Sequence, residues 1–345
     1  MKVLMIGLGG IGQRHVRNLS ALLGDQLDLM AYRTRRLSTV LTDRLQVEPG
    51  VDLETRYHIR TFTQLDDALA ERPQAAFICN PSSLHVAAAL KAANSGCHLF
   101  IEKPLSDRTD GIEHLISTVR QKGLVGYVGY QMRYHPCLRW VHDLLAQDAI
   151  GQILSVQAEV GEYLPGWHTY EDYRQMYAAR RDLGGGVILS QIHELDYLYW
   201  FFGLPTHIFA LGGHLSSLEV DVEDVASSLI SFTVGGKSIP VSLHQDYIQR
   251  PPSRSCHVIG DRGKLVVDLV GLTMYRYDGE GKLVEEAHIE NFQRNQLFLD
   301  ELSHFLACVR GEEKPLISLE DGYQSLRMAL AARQSLETGK VVEFI

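Results

Sequence analysis

The first third of the chain alternates short apolar runs with helical patterns. Val3-Leu4-Met5-Ile6 is apolar throughout, as expected of a strand covered on both faces of a parallel sheet. It breaks into Gly7-Leu8-Gly9-Gly10-Ile11-Gly12 and enters a helix whose Val16, Leu19, Leu22 and Leu23 fall on one side. A second strand is predicted over residues 27–32 and a helix over about 37–45, with 46–59 less regular. Thr63-Gln64-Leu65-Asp66 has the form of a capping box opening a short helix that stops near Pro73. Further strands are expected at 75–79, 98–101 and 125–130, with helices from about 85 to 95, closed by Gly96, and another ending before Gly123. This alternation predicts an N-terminal Rossmann-type domain over residues 1–127, an α/β, doubly wound parallel sheet built of right-handed crossovers.

Beyond Tyr130 the pattern changes. A helix over about 136–147 and an alternating strand over 153–160 precede a long aromatic and polar segment, 161–182. Gly184-Gly185-Gly186 leads into a strongly apolar helix that runs to Phe202-Gly203. From 208 to 288 strand follows strand, with turn signals at Gly235-Gly236, Gly260-Asp261-Arg262-Gly263 and Asp278-Gly279. Two amphipathic helices, about 296–309 and 323–337, and a short strand end the sequence. Residues 128–345 are therefore expected to form an α+β domain with a large, mostly antiparallel open sheet. The helices are too few to cover both faces, so the bare face is expected to be buried in a homodimer or homotetramer.

Composition narrows the functional classes. The net charge of -9 over 345 residues, with no basic run longer than Arg33-Thr34-Arg35-Arg36, argues against a nucleic-acid partner. No apolar run has membrane-spanning length, and the N-terminal stretch is too short and glycine-rich for a signal peptide, so a cytoplasmic protein is expected. The five cysteines lack C-x-x-C spacing and read as buried thiols, with no metal site expected.

The glycine pattern is a dinucleotide-binding fingerprint. Gly7 permits the tight turn, Gly9 lets the backbone approach a pyrophosphate and Gly12 lets helix and strand pack closely. Gly10 and Ile11 open the helix whose N-terminus receives the phosphates. At the end of the second strand, where a carboxylate would bond a ribose 2′-hydroxyl, stands Arg33, followed by Thr34, Arg35 and Arg36. A guanidinium pairs with a 2′-phosphate, so NADP is expected in preference to NAD. Asn80-Pro81-Ser82 and Glu102-Lys103-Pro104 follow later strands of the same sheet, on the edge where ligands of open α/β folds bind. A lysine there is disfavoured as a cation beside an oxidised nicotinamide. Its neutral amine can then take a hydroxyl proton as hydride leaves carbon.

With these features in place, the chain resembles the glucose-fructose oxidoreductase and inositol dehydrogenase family (Gfo/Idh/MocA) over nearly its whole length. The resemblance rests on residues 6–12, on Cys79-Asn80-Pro81-Ser82-Ser83-Leu84-His85, on Phe100-Ile101-Glu102-Lys103-Pro104-Leu105, on residues 129–136 and on the triple glycine followed by His193 and Asp196. It implies nicotinamide-dependent redox chemistry at a sugar or polyol carbon, with Lys103 as the catalytic lysine and Glu102 and Pro104 shaping its turn. His85 is expected at the cofactor, and Gln131 and Arg133, from the 129–136 motif, at the substrate. Ser190, His193 and Asp196 recur at i, i+3 on one expected helix side, and with that placement the resemblance implies a catalytic role for His193 and puts Ser190 and Asp196 at the substrate. Family members commonly carry an Asp at or near the Ser190 position, and its absence removes a carboxylate that would orient the histidine. In the aromatic segment, Tyr163, Trp167, Tyr173 and Arg180 suit a sugar ring and an acidic group. The reading is thus an oxidoreductase acting on a sugar, sugar nucleotide or cyclitol. The alternatives are a reductase of a non-carbohydrate substrate and a cofactor-sensing regulatory protein with little turnover.

Overall fold

A computed structural model describes residues 1–34, 40–42 and 46–344, and two sheets organise them. The first is six-stranded and wholly parallel, in the order Arg60–Phe62, Asp28–Tyr32, Lys2–Ile6, Ala75–Ile78, His98–Glu102, Gly126–Gly129. The edge strand Arg60–Phe62 lies just past the stretch that looked irregular, since three residues carry too little periodicity to be seen. The helix expected over 37–45 is corrected: Val40–Leu41 pairs antiparallel with Val47–Glu48, and residues 35–39 and 43–45 lie outside the described residues. The capping box at Thr63 is absent as well. The helix Leu65–Ala70 starts from Gln64, and no side chain caps it.

Aromatic side chains in register hold this sheet to the rest of the molecule. Phe77, Phe100 and Tyr127 occupy paired positions on neighbouring strands and stack at 5.0 and 5.7 Å between centroids. Phe305, from the helix Arg294–Val309 near the other end of the chain, meets all three edge-on. A helix distant in sequence thus seals one face of the cofactor sheet, and edge-to-face rings add to the area buried.

The second sheet has nine strands and is mixed. Its order is Leu283–His288, Thr273–Asp278, Gly263–Asp268, Ser253–Gly260, Ile153–Gly161, Lys237–Asp246, Val225–Val234, Pro205–Gly213, Val342–Glu343. Every pairing is antiparallel except that of Ile153–Gly161 with Lys237–Asp246. Inward residues such as Val156, Ala158, Ile230, Phe232, Val241 and Val258 are buried, while Leu211 and Leu229 on the other face are each 61% exposed.

One correction shapes the site. The apolar helix expected to run unbroken from Gly186 to Phe202 is two helices, Val187–Ser190 and His193–Phe202, with the backbone turned at Gln191. Ser190 and His193 therefore lie on either side of a bend rather than on one continuous face.

Candidate active site

The glycine turn is built by exclusion. Gly7 adopts φ +102°, and a Cβ there would lie 2.7 Å from the Cys79 carbonyl; a Cβ on Gly12 would lie 2.3 Å from the Gly7 oxygen. At Gly9 it would meet open space, so packing within the protein does not account for this glycine. The helix Gly10–Leu23 that follows has no side-chain cap at Gly9, which leaves its first N–H groups to a ligand. Ile11 turns back and packs against the core. The Asn80 side-chain oxygen, after the neighbouring strand, is buried without a partner. These features fit a pyrophosphate and a nicotinamide nucleotide.

At the selector position, Arg33 is drawn inward. Its Nη1 donates to Glu54 Oε1 at 2.7 Å, and the side chain is largely covered. Thr34 is exposed beside it, and Arg36 lies outside the described residues.

The opposite wall depends on two buried histidines. His85 faces the Pro104 carbonyl with Nδ1 (2.9 Å) and the Asn80 carbonyl with Nε2 (2.8 Å), so it ties together the turns after two strands. Burial lowers its pKa, and the neutral ring carries one N–H, which one of the two carbonyls accepts, so the imidazole shapes the crevice between the turns. Pro81 and Ser82 follow Asn80 in that turn. Ser82 is buried near Gly184, where an added Cβ would come 3.1 Å from its own. His15 Nε2 lies 2.6 Å from Glu102 Oε1, and the ring packs among Phe77, Phe100 and Phe298. The other Glu102 oxygen accepts from the Lys103 backbone N–H at 3.3 Å. Glu102 is thereby committed to aiming the Lys103 turn.

Lys103 crosses to the second half of the chain, where its Nζ donates to the Ser190 carbonyl at 2.7 Å. Three residues later, His193 is buried with Nε2 3.2 Å from the Gln131 side-chain nitrogen. Burial, reinforced by the positive charges of Lys103, Arg254 and Arg294, holds this imidazole well below the usual histidine range. The neutral ring accepts the Gln131 N–H at Nε2, an assignment made from the hydrogen-bond network, so its proton belongs on Nδ1, which is buried and unpartnered. The Ser190 hydroxyl makes no hydrogen bond of normal geometry, although the Tyr247 hydroxyl lies near it.

Two residues expected at the substrate are engaged elsewhere. Arg133 grips Asp196 through two bonds of 2.9 and 2.8 Å, with Ser325 adding a third to the carboxylate at 2.9 Å. Arg133 and Asp196 are both essentially inaccessible, and this pair pins the helix His193–Phe202 instead of meeting a ligand. Spacing put Asp196 beside His193, but an i, i+3 separation does not tell which neighbour a side chain finds.

In the aromatic segment, Tyr163 lies under the Arg250 guanidinium at 4.0 Å and Trp167 meets Tyr247 edge-on with its indole N–H buried and unpartnered. The Tyr173 hydroxyl accepts from the Glu219 backbone N–H, and Arg180 forms a two-bond pair with Asp182. Tyr173 and Arg180 thus fasten the loop. Sequence reasoning missed Arg254, which pairs with the fully buried Glu194 at 2.7 and 3.0 Å, and Arg294 at the start of its helix. No spacing signal joins positions 60 to 100 residues apart. All five cysteines are buried and unbridged, and among the described residues no cluster suits a metal ion and no helix is long and apolar enough to cross a membrane.

Comparison with known proteins agrees with this geometry. Residues 1–130 match the model of an oxidoreductase family with an NAD-binding Rossmann fold, and residues 142–344 match its C-terminal alpha/beta domain. The myo-inositol 2-dehydrogenase of Thermotoga maritima is 25% identical over 99% of this chain and 98% of its own. The UDP-N-acetylglucosamine 3-dehydrogenase of Acidithiobacillus ferrooxidans is 25% identical over 98% and 97%. The WlbA dehydrogenase of Bordetella pertussis, solved with NADH and UDP-GlcNAcA, superposes with a TM-score of 0.80 at 21% identity, covering 100% of this chain and 99% of that one. The chain belongs to the Gfo/Idh/MocA family and is a nicotinamide-dependent oxidoreductase.

Proposed function

We propose that this enzyme interconverts a secondary alcohol and a ketone on a sugar, sugar nucleotide or cyclitol, using NADP in preference to NAD. The observation that carries the reading is the contact of Lys103 Nζ with the Ser190 carbonyl, 2.7 Å long, because it joins a cofactor-sheet lysine to the bend that presents His193. The names of the relatives supply the substrate class. The nicotinamide, when bound, supplies or accepts the hydride. Lys103 exchanges the proton of the substrate hydroxyl, and His193 donates from Nδ1 to the same oxygen and orients it. Trp167 and Ser190 offer two further unpaired polar groups to a polyol. Arg33 supports the NADP preference, since a carboxylate at its position would repel a 2′-phosphate.

The test is a screen of myo-inositol, aldoses, uronic acids and their nucleotide conjugates against both cofactors, followed by nicotinamide absorbance. Turnover of at least one of these classes is expected. Tight nucleotide binding with no turnover of any would favour a regulatory protein instead.

We further propose that a second copy of the chain covers the bare face of the large sheet. Phe209, Leu211 and Leu229 border a shallow depression of about 410 Å³ there, crossed by a polar row that includes Ser227 and His244. Light scattering of the wild-type protein and of Leu229→Asp tests this. The expected result is a dimer or tetramer that the variant weakens, and a wild-type monomer at micromolar concentration would contradict it.

A further inference from the structure

The dinucleotide-binding helix Gly10–Leu23 sends its buried polar side chains to separate places. Arg14 and Asn18 meet Asn295 on the helix Arg294–Val309, and Gln13 accepts from the Leu41 backbone N–H. His15 instead reaches the end of the strand His98–Glu102, where its Nε2 lies 2.6 Å from Glu102 Oε1. That contact is the ring's whole hydrogen-bonding commitment, since Nδ1 is buried and has no partner. Phe77, Phe100 and Phe298 pack around the fully buried imidazole at 5.5, 4.9 and 6.4 Å between centroids and hold it against turning away from the carboxylate.

Glu102 is constrained in the same way. Its second oxygen accepts from the Lys103 backbone N–H at 3.3 Å, and Gly129, its register partner on the next strand, would bring a Cβ to 3.3 Å from Oε1. The carboxyl group thus stands between one donor from the dinucleotide-binding helix and one from the turn that carries the lysine. A second acid on the same side of the sheet has no such links. Glu301 is fully buried, and neither of its oxygens has a partner. It lies three residues after Phe298, which meets His15, and four before Phe305, which meets Phe77 and Phe100, so all three share one face of their helix. With no donor and no paired cation, burial favours its neutral acid, and the nearby Glu102 adds to that preference. Glu102, with a donor on each oxygen, is the acid that joins helix to turn.

We propose that His15 is a positioning residue that couples the dinucleotide-binding helix to Lys103 through Glu102, so that a bound nucleotide steadies the turn presenting the lysine. The inference rests on the proposed role of Lys103 and adds the means by which that lysine is set. The first N–H groups of the helix are open to a pyrophosphate, His15 lies in the second turn of the same rigid element, and two hydrogen bonds lead from its imidazole to the Lys103 amide.

Hydrogen exchange at the Lys103 backbone amide, with and without a saturating reduced nucleotide (NADPH or NADH), provides the test. In the wild type the nucleotide is expected to slow this exchange about 10-fold. His15→Leu and Glu102→Gln should each abolish the slowing while nucleotide affinity is retained, and His15→Gln, whose amide keeps a donor, should restore part of it. Turnover of a sugar should fall roughly 10-fold in both disrupting variants, with His15→Leu adding no further loss in a Glu102→Gln background. If His15→Leu does not fold, Glu102→Gln decides. Exchange at Lys103 that is indifferent to nucleotide in the wild type, slowing that survives either disrupting variant, or losses of turnover that multiply would overturn the inference. So would loss of nucleotide binding in Glu102→Gln, which would make the pair part of the nucleotide site itself. The sugar reading fails separately, when no sugar is turned over with either nucleotide, and the exchange measurement still decides the coupling.

Discussion

Lys103 Nζ lies 2.7 Å from the carbonyl oxygen of Ser190, so the lysine that ends a strand of the cofactor sheet is held by the bend that presents His193. This single contact spans the two halves of the molecule. It brings the Lys103 amine to the backbone three residues before the neutral imidazole of His193. The backbone carbonyl, which any residue supplies, holds the lysine, so a side-chain carboxylate at this position is not needed to do so.

The glycine turn separates stability from binding. Gly12→Ala puts a methyl group 2.3 Å from the Gly7 oxygen and is expected to destabilise the fold by about 1–3 kcal/mol, as overpacking does. Gly9→Ala puts its methyl in open space, so the melting temperature should hold while nucleotide affinity falls roughly 10- to 100-fold. Thermal melts without nucleotide, together with a titration of NADPH, check both. A Gly9→Ala protein that binds NADPH normally would show that the turn does not face the pyrophosphate.

Cofactor choice should respond to Glu54 as well as to Arg33. The Arg33 guanidinium shares a 2.7 Å contact with Glu54, which competes with a 2′-phosphate for it. Glu54→Gln is expected to tighten NADPH by up to about fivefold with little change for NADH, because a partly exposed pair is worth at most ~1 kcal/mol. Arg33→Asp should reverse the preference. Parallel fluorescence titrations of the two reduced nucleotides measure this, and identical ratios in all three proteins would dismiss Arg33 as the selector.

Arg133 and Asp196 should report on stability rather than on chemistry. Asp196→Asn leaves a buried guanidinium without its counter-charge and is expected to cost about 3–5 kcal/mol in urea unfolding. Substrate KM at low temperature, where the variant remains folded, should change little. A stable variant with a raised KM would return Asp196 to the substrate site.

His135 provides a pH dependence with a definite sign. Its Nδ1 accepts from the Cys137 backbone N–H at the start of the helix Pro136–Ala146, and burial pushes its pKa from 6.5 down to about 4. Between those values the unfolded chain binds the proton and the folded one does not, so stability is present above pH 6.5 and is lost as pH falls toward 4. The loss from this residue is about 3 kcal/mol at 1.36 kcal/mol per unit. In denaturant titrations, the advantage of wild type over His135→Asn at pH 7 should shrink by about 2.4 kcal/mol near pH 4.5, most of the full loss, since the other histidines titrate in both proteins. A gap independent of pH would contradict it.

Much of the site could be read in the sequence because its determinants are local. Gly7, Gly9 and Gly12 fall within one turn, and Asn80 and Lys103 each end an apolar run, so spacing alone brought them to one sheet edge. The strands of the large sheet were legible from alternation and turn signals. What stayed hidden depends on long-range partners. Arg133 meets Asp196 across 63 residues and Arg254 meets Glu194 across 60, and nothing in either local pattern announces the pairing. The bend at Gln191 was hidden for a different reason: the residues on both sides of it are apolar, and a buried helix break leaves the hydrophobic run intact.

The central claim is that Lys103 moves the proton, and the most direct measurement is the turnover of Lys103→Met on a sugar substrate, with nucleotide affinity determined separately. Loss of a positioned acid or base lowers the rate by about 10²–10⁴-fold, and this account expects a fall in that range with the NADPH dissociation constant and melting temperature unchanged. Turnover close to that of the wild type would contradict it and assign proton transfer to another group.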